Sequence, residues 1–361
     1  MSTPRTTWLH TAFVQLVIAR VREFYREPEA VFWVYGFPLL MATALGIAFR
    51  NQPIEKLNVD VVVAAKNEGD ANVEPARWIV ETLQGQERFV VREVTDGEGR
   101  RRLRSGKTDV LVIGRPEKAA AYQFDFTRKE SQLARNAVDD ALQRGAGRVD
   151  VVRSENKAFD EPGGRYIDFL VPGLLGMSLM GGGLWGVGYV IVDMRIRKLL
   201  KRFLATPMRR SHFLAAVLTS RLLFLLPEVL VLLLFSRIAF GVQSQGSLLS
   251  VLLLILLGAF AFAGIGLLVA SRAKTLESVS GLMNLVMLPM WVLSGIFFSS
   301  DRFPEAVQPA IKILPLTQVI DALRAVMLDG LPLASQWQPI LGLSLWATVS
   351  FGLALRWFRW N

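Results

Sequence analysis

Long apolar runs alternate with short polar links along most of this chain, and a single long polar stretch interrupts the rhythm. A helix that crosses a membrane needs about 20 mostly apolar residues. Six runs qualify: residues 30–49, 167–192, 214–235, 248–271, 279–298 and 340–357. Arg221, Pro227 and Glu228 interrupt the third run, and Pro289 lies in the fifth, where a membrane helix accommodates it as a kink. Ahead of the first run, Trp8, Leu9, Ala12, Phe13, Leu16, Val17, Val21 and Phe24 keep helical spacing around Thr11, Gln15 and Arg22. That pattern predicts a helix over 7–25 lying on the membrane surface, with Pro28 turning the chain into the first crossing. No small-residue cleavage site follows, so the segment does not read as a removable signal.

The polar stretch between runs one and two carries shorter periods. Residues 58–64, 88–94, 109–114 and 121–126 read as strands, and 74–84, 99–105 and 130–144 as helices. About a hundred residues of this kind make one compact domain of ordinary size. The expected fold is an α-helical polytopic membrane protein of six transmembrane helices with an inserted α/β extracytoplasmic domain. Its parts are an interfacial segment at 1–29, a first transmembrane helix at 30–49, the inserted domain at 50–165, and five further helices within 166–361.

Charge sets the expected orientation. The chain has 361 residues, 52% of them hydrophobic, and a formal net charge of +10. Residues 50–165 hold 21 basic and 20 acidic side chains, so nearly all the excess sits beside the apolar runs. Such an excess speaks for topology and lipid headgroups, not for nucleic acid. Six crossings place both termini on one side. The short loops on that side hold 15 Lys and Arg against 4 on the other, which makes it the cytoplasmic side of a cell membrane, in bacteria the inner membrane. The inserted domain is then extracytoplasmic.

Seven of those 15 lie in one link: Arg195, Arg197, Lys198, Lys201, Arg202, Arg209 and Arg210. Ile196, Leu199, Leu200, Phe203 and Leu204 recur at three- and four-residue steps, which predicts one amphipathic helix over 194–206. Thr206-Pro207 ends it, because proline disfavours helical geometry in the residue before it. A short basic helix with one apolar stripe has the form of a docking element for a soluble partner.

Catalytic chemistry finds little support. Ser105-Gly106-Lys107-Thr108 suggests a phosphate loop, but the required earlier glycine is replaced by Arg101, and a strand follows where a helix should. His10 and His212 are the only histidines and are far apart, so no metal site is expected. The absence of cysteine removes thiolate ligands, disulfides and a Cys nucleophile. Gly181, Gly182, Gly183 and Gly186 form a small-residue face for close helix packing, or line a conduit or subunit interface. Arg221 is read as snorkelling to the cytoplasmic surface. Glu228 has two readings: a polar cavity or subunit interface, or a structural hydrogen bond. Residues 300–333, with Pro304, Pro309, Pro315 and Pro332, read as short re-entrant helices dipping into the outer leaflet.

Two motifs carry a resemblance: the basic segment ending in LATP (204–207), and LSGIFFSSDRFPEAVQPAIKILPLTQVIDALRAVM (293–327). With six runs and the insert in this order, the whole chain resembles the permease subunits of type-2 ATP-binding-cassette exporters, in the subgroup with a large extracytoplasmic domain. The resemblance implies a subunit that pairs with a second permease copy or paralogue and with a separate cytoplasmic ATPase. That ATPase would bind the ATP, leaving this chain without cofactor or catalytic residues. Coupling to it falls to Arg195, Lys198, Leu199, Leu200, Lys201, Arg202, Phe203, Thr206 and Pro207, and the conduit or interface to Gly182, Gly186 and Glu228. Cargo would be amphipathic or lipid-like. One departure stands out: family members often carry acidic residues and a glycine where this chain has Arg197 and Lys198. The competing reading is a membrane-anchored ligand sensor or scaffold; an ion-coupled transporter ranks behind both, for want of paired midplane charges.

Overall fold

A computed structural model describes residues 12–49, 56–63, 73–115, 119–152, 155, 163–204 and 210–358. The chain divides into two compact units, Asn51–Ala158 and the combination of Met1–Arg50 with Phe159–Asn361.

The larger unit is helical. Among the described residues, six helices are long and apolar enough to cross a membrane: Pro28–Ala48, Tyr166–Ile196, Ser211–Phe240, Leu248–Arg272, Leu276–Leu293 and Leu333–Trp357. They are called spans one to six. Spans two and four form the buried centre, while spans one, five and six turn most of their surface outward. Their shared core includes Leu174, Met180, Leu184, Phe262, Ile265, Met283, Leu323 and Leu343. Spans two and four cross closely because both carry glycine at the contact. A methyl group at Gly183 would strike the Phe262 backbone, and one at Gly266 the Gly183 carbonyl. Without a hydrophobic force between helices in lipid, such close backbone approach is a main source of helix association.

Span two is not a uniform helix. It runs as α-helix over Tyr166–Gly183, as π-helix over Leu184–Tyr189, and as α-helix again over Val190–Ile196. Span one holds a similar π-turn at Phe32–Gly36. Upstream, the helix Ala12–Arg26 ends before Pro28, and residues 7–11 of the expected surface helix lie outside the described residues. Span five stops at Leu293, five residues short of the expected end. Gly295 takes a left-handed φ of +77° there, and the segment turns into the short helices Ser300–Arg302, Glu305–Val307, Gln308–Ile313 and Pro315–Met327.

The smaller unit is an α/β layer. Strands β1 (Leu57–Val62), β2 (Phe89–Val94), β3 (Val110–Arg115) and β4 (Ala119–Phe124) form one sheet in the order β2-β1-β3-β4. The first three are parallel, and β4 pairs antiparallel to β3. Alternation sends Val59, Val61, Val110 and Val112 to one face, where Ile79, Leu83, Val138 and Leu142 of helices Val73–Gln84 and Lys129–Gly145 cover them. Asp60 lies on the other face, 1% exposed, and accepts a 2.7 Å hydrogen bond from Arg102 of helix Asp96–Arg104. That bond holds the guanidinium more firmly protonated than usual. Gly106 turns with positive φ from this helix towards β3, so the would-be phosphate loop is a helix-to-strand turn.

Candidate functional site

Three places in the helical unit concentrate polar groups. The first lies in the middle of spans two and three. Arg221 and Glu228 are seven residues apart, two helical turns, which puts them on one face of span three. The Arg221 guanidinium donates a 2.9 Å hydrogen bond to Glu228 Oε2, and the two side chains are 9% and 5% exposed. The same Nη2 lies 3.5 Å from the Ser178 carbonyl of span two. Gly182 leaves the room this requires, since a methyl group there would overlap the guanidinium, and Gly186 lies against the Arg221 stem. The structure thus brings Gly182, Gly186 and Glu228 together around Arg221. Arg221 does not snorkel to the surface as expected, because Glu228 offers a charge partner inside the bundle. Nearby, Tyr35 of span one donates to the Phe224 carbonyl at 3.3 Å, next to the gap that Pro227 leaves in the helical ladder.

The second place is the basic link after span two. The expected single helix over 194–206 is broken. Span two ends at Ile196, Arg197 follows as its cap, and Lys198 adopts φ +59° before a short helix at Leu199–Leu204. The break closes the carbonyls of the last turn: the Arg197 and Lys198 amides donate to Asp193 and Arg195 at 2.9 and 3.0 Å. Lys198, Lys201 and Arg202 are exposed. Leu200 is 1% exposed and packs in a cluster with Ile191, Met194, Phe213, Leu267 and Phe358, so the chain itself covers this part of the expected docking stripe. Leu199 is half-buried at the edge of the cluster. Arg195 also faces inward. It donates 3.0 Å bonds to the Ala270 and Ala273 carbonyls at the end of span four, and its guanidinium stands 5.0 Å over the Phe358 ring. Phe203 lies within the short helix, and Thr206 and Pro207 lie outside the described residues.

The third place is at the opposite ends of the spans, and sequence reasoning missed it. Arg324, on the helix Pro315–Met327, donates to the Gly295 carbonyl at 2.5 Å and the Phe169 carbonyl at 3.2 Å. Its guanidinium lies 3.5 Å over the Phe169 ring. One side chain thereby fastens the turn after span five and the start of span two to this helix. Beside it, Arg165 pairs with Asp168 through two 2.9 Å bonds and donates to the Phe240 carbonyl of span three at 2.7 Å. The available signal was a lone cation on a helix whose other inward positions, Thr317 apart, are apolar.

Among the described residues no group of three His, Cys, Asp or Glu side chains could hold a metal ion. The polar groups found clamp helices together or stand exposed beside the break after span two.

Comparison with known proteins agrees with a transport scaffold. Residues 29–356 match the family described as ABC-2 family transporter protein. The probable multidrug ABC transporter permease YbhS of Escherichia coli is 22% identical over 350 residues, covering 91% of both chains. The inner membrane transport permease YhhJ of the same organism is 26% identical over 173 residues, covering 48% of this chain and 46% of its own. Nodulation protein J of Rhizobium leguminosarum bv. trifolii is 34% identical over 116 residues, covering 32% of this chain and 44% of its own. The chain thus spans less than half the length of the latter two relatives. With the family match running from the start of span one to the end of span six, this multi-pass chain belongs to the ABC-2 family of transporter proteins.

Proposed function

We propose that this chain is the membrane-spanning permease subunit of an ATP-binding-cassette exporter, driven by a separate cytoplasmic ATPase and paired with a second permease subunit. The family match over nearly the whole chain carries the reading. Support for the coupling site comes from the break after Ile196, which leaves Lys198 exposed at the turn and Lys201 and Arg202 exposed on the short helix that follows. These cations would meet acidic groups rimming a groove on the ATPase and would act chiefly on the association rate. Leu199 and Phe203 remain the candidate apolar anchors, whereas Leu200 holds the helix to its own bundle. Arg195 positions that helix from within.

The 15 to 4 split of basic residues supports cytoplasmic termini and an extracytoplasmic α/β unit between spans one and two. Residues 300–333 would then dip into the outer leaflet near the exit. An amphipathic or lipid-like cargo fits a conduit built between apolar helices, and the relative that covers nine tenths of this chain is described as a probable multidrug permease. No ATP site or other cofactor is assigned to this chain. A ligand sensor has no comparable support, since a sensor does not require six spans.

The test is co-expression with the cognate ATPase. Burying a Leu or Phe side chain contributes about 1.5–3 kcal/mol, so Phe203→Ala should weaken docking roughly tenfold or more. Charge reversal at Lys201 and Arg202 should slow association. If Phe203→Ala, Leu199→Ala and the reversed chain all co-purify with a fully stimulated ATPase, the segment is an ordinary cytoplasmic loop.

A further inference from the structure

The α/β unit is nearly neutral, yet its charge is segregated. Register puts the starts of β1, β2 and β3 and the end of β4 at one end of the sheet: Leu57 pairs with Phe89, Val59 with Val110, and Val110 with Phe124. The links at this end carry Lys56, Arg88, Arg104, Lys107 and Lys129, all exposed, and among the described residues none of the five forms an ion pair. By contrast, Arg92, Arg100, Arg102, Arg135, Arg144 and Arg148 of the same unit each meet a carboxylate. Arg101 and Arg115 are the other unpaired cations among its described residues.

The acids at this end do not balance the five. Asp109 accepts from the Asn58 amide at 3.0 Å and from Arg128 Nη2 at 3.3 Å, and Asp125 from the Thr127 amide and hydroxyl at 2.8 and 2.7 Å. Glu87 and Glu130 stand exposed. The Arg128 guanidinium also lies against Gly106, where a methyl group would stand 3.6 Å from Nη1. That Nη1 is buried without a hydrogen-bond partner. The turn between helix Asp96–Arg104 and β3 is thereby joined to the link after β4.

The same link displays an aromatic ring. Phe126 is 75% exposed, and its ring centroid lies 4.5 Å from that of Phe124. The backbone around it is held, because Asp125 closes on Thr127 and Gln132 Nε2 donates to the Phe126 carbonyl at 2.5 Å. An exposed phenyl ring among unpaired cations has the chemistry of a membrane-interface contact, in which the ring enters the headgroup layer and the cations meet phosphates.

We propose that this end of the α/β unit docks on an anionic lipid surface, with Phe126 entering the headgroup layer and the five cations facing lipid phosphates. Charge complementarity selects an anionic partner, and the held ring selects a surface with an apolar interior over a dissolved anion. Covalent connection favours the same occupant. Only residues 49–56 separate span one from β1, so a bilayer is the anionic surface at the highest local concentration. The proposal holds for any cargo and any ATPase, and so stands apart from the permease reading.

The full chain in lipid nanodiscs tests it, and the absence of native cysteine allows a single label. Phe126→Cys, carrying an environment-sensitive fluorophore in place of the ring, should be quenched by nitroxide-labelled phosphatidylcholine when the disc also contains phosphatidylglycerol. Quenching should fall in discs of phosphatidylcholine alone, and at high salt. Arg115→Cys, at the opposite end of the sheet, should stay unquenched in both. Each basic residue near an anionic surface shifts the attached-to-free ratio about fivefold, so Lys107→Gln with Lys129→Gln should lower it about 25-fold. Equal quenching at position 126 with and without anionic lipid would overturn the proposal, as would no quenching in either disc or natural quenching in the double lysine variant. Loss of quenching on adding inorganic phosphate at constant ionic strength also overturns it, since the site would then hold a dissolved anion.

Discussion

The Arg221 guanidinium and the Glu228 carboxylate meet at 2.9 Å in the interior of the helical unit, two turns apart on one helix. Each alone would be an uncompensated charge in an apolar bundle. Removing one partner of such a pair typically costs about 3–5 kcal/mol, whereas replacing both with apolar groups of similar volume is often neutral or stabilising. Glu228→Met and Arg221→Met should therefore each sharply reduce the yield and thermal stability of the purified chain. The double variant should recover most of both. Thermal aggregation midpoints of the four proteins form a double-mutant cycle. Single variants that lose less than about 0.5 kcal/mol would mean that water reaches the pair.

Gly182 offers an independent check on that geometry. A Cβ there would overlap the Arg221 guanidinium, so Gly182→Ala should destabilise the natural chain. Overpacking of this kind costs about 1–3 kcal/mol. In the background Arg221→Met with Glu228→Met, where the narrower side chain at 221 can yield, most of the penalty should vanish. Equal penalties in the two backgrounds would place the obstacle elsewhere.

Arg324 makes a prediction at the other end of the spans. Its truncation leaves the Gly295 and Phe169 carbonyls without this donor and uncovers the Phe169 ring. Unsatisfied buried acceptors cost about 1–3 kcal/mol. Arg324→Ala should loosen the Pro315–Met327 helix, seen as faster backbone hydrogen exchange over 293–300 and 315–327. Arg324→Lys should not rescue it, because a point ammonium cannot stack and fork in the same geometry. Unchanged exchange in Arg324→Ala would remove this side chain as the fastener.

Much of this architecture was legible in the amino-acid order. Length and hydropathy located all six spans, because an apolar helix that must satisfy its own backbone leaves few other solutions. Period-two alternation located β1, β2 and β3 to within a residue or two. The errors occur where one element depends on another. Hydropathy alone extends span five to residue 298 through the apolar Ile296, Phe297 and Phe298, but Gly295 turns them away. The sequence shows the seven-residue step from Arg221 to Glu228, but not that the glycine face of span two makes room for the pair inside the bundle. The break at Lys198 was hidden for a similar reason. A lysine gives no local signal for positive φ, and the cap that holds it there is built from backbone amides.

Lys198 is the sharpest place to test that last point. A left-handed φ costs an L-residue with a Cβ roughly 1–2 kcal/mol, and glycine almost nothing. The φ of +59° at Lys198 is one that glycine adopts without strain. Lys198→Gly and Lys198→Ala remove the same charge, but only the first relieves the backbone. The glycine variant should therefore be the more stable of the two by about 1 kcal/mol, an increase of about 1 °C in midpoint for a chain of this size. The helix Leu199–Leu204 should also resist limited proteolysis better in Lys198→Gly than in Lys198→Ala. If the alanine variant matches or exceeds the glycine variant on both measures, Lys198 does not hold the left-handed geometry in solution. The helix would then continue through Arg197 and Lys198, as the apolar spacing alone predicts. The two geometries also differ in what the proposed ATPase would meet: a short helix set off by a sharp turn, or an extension of span two. Stimulation of the ATPase by Lys198→Gly at or above the level of Lys198→Ala is the outcome expected of the turned form.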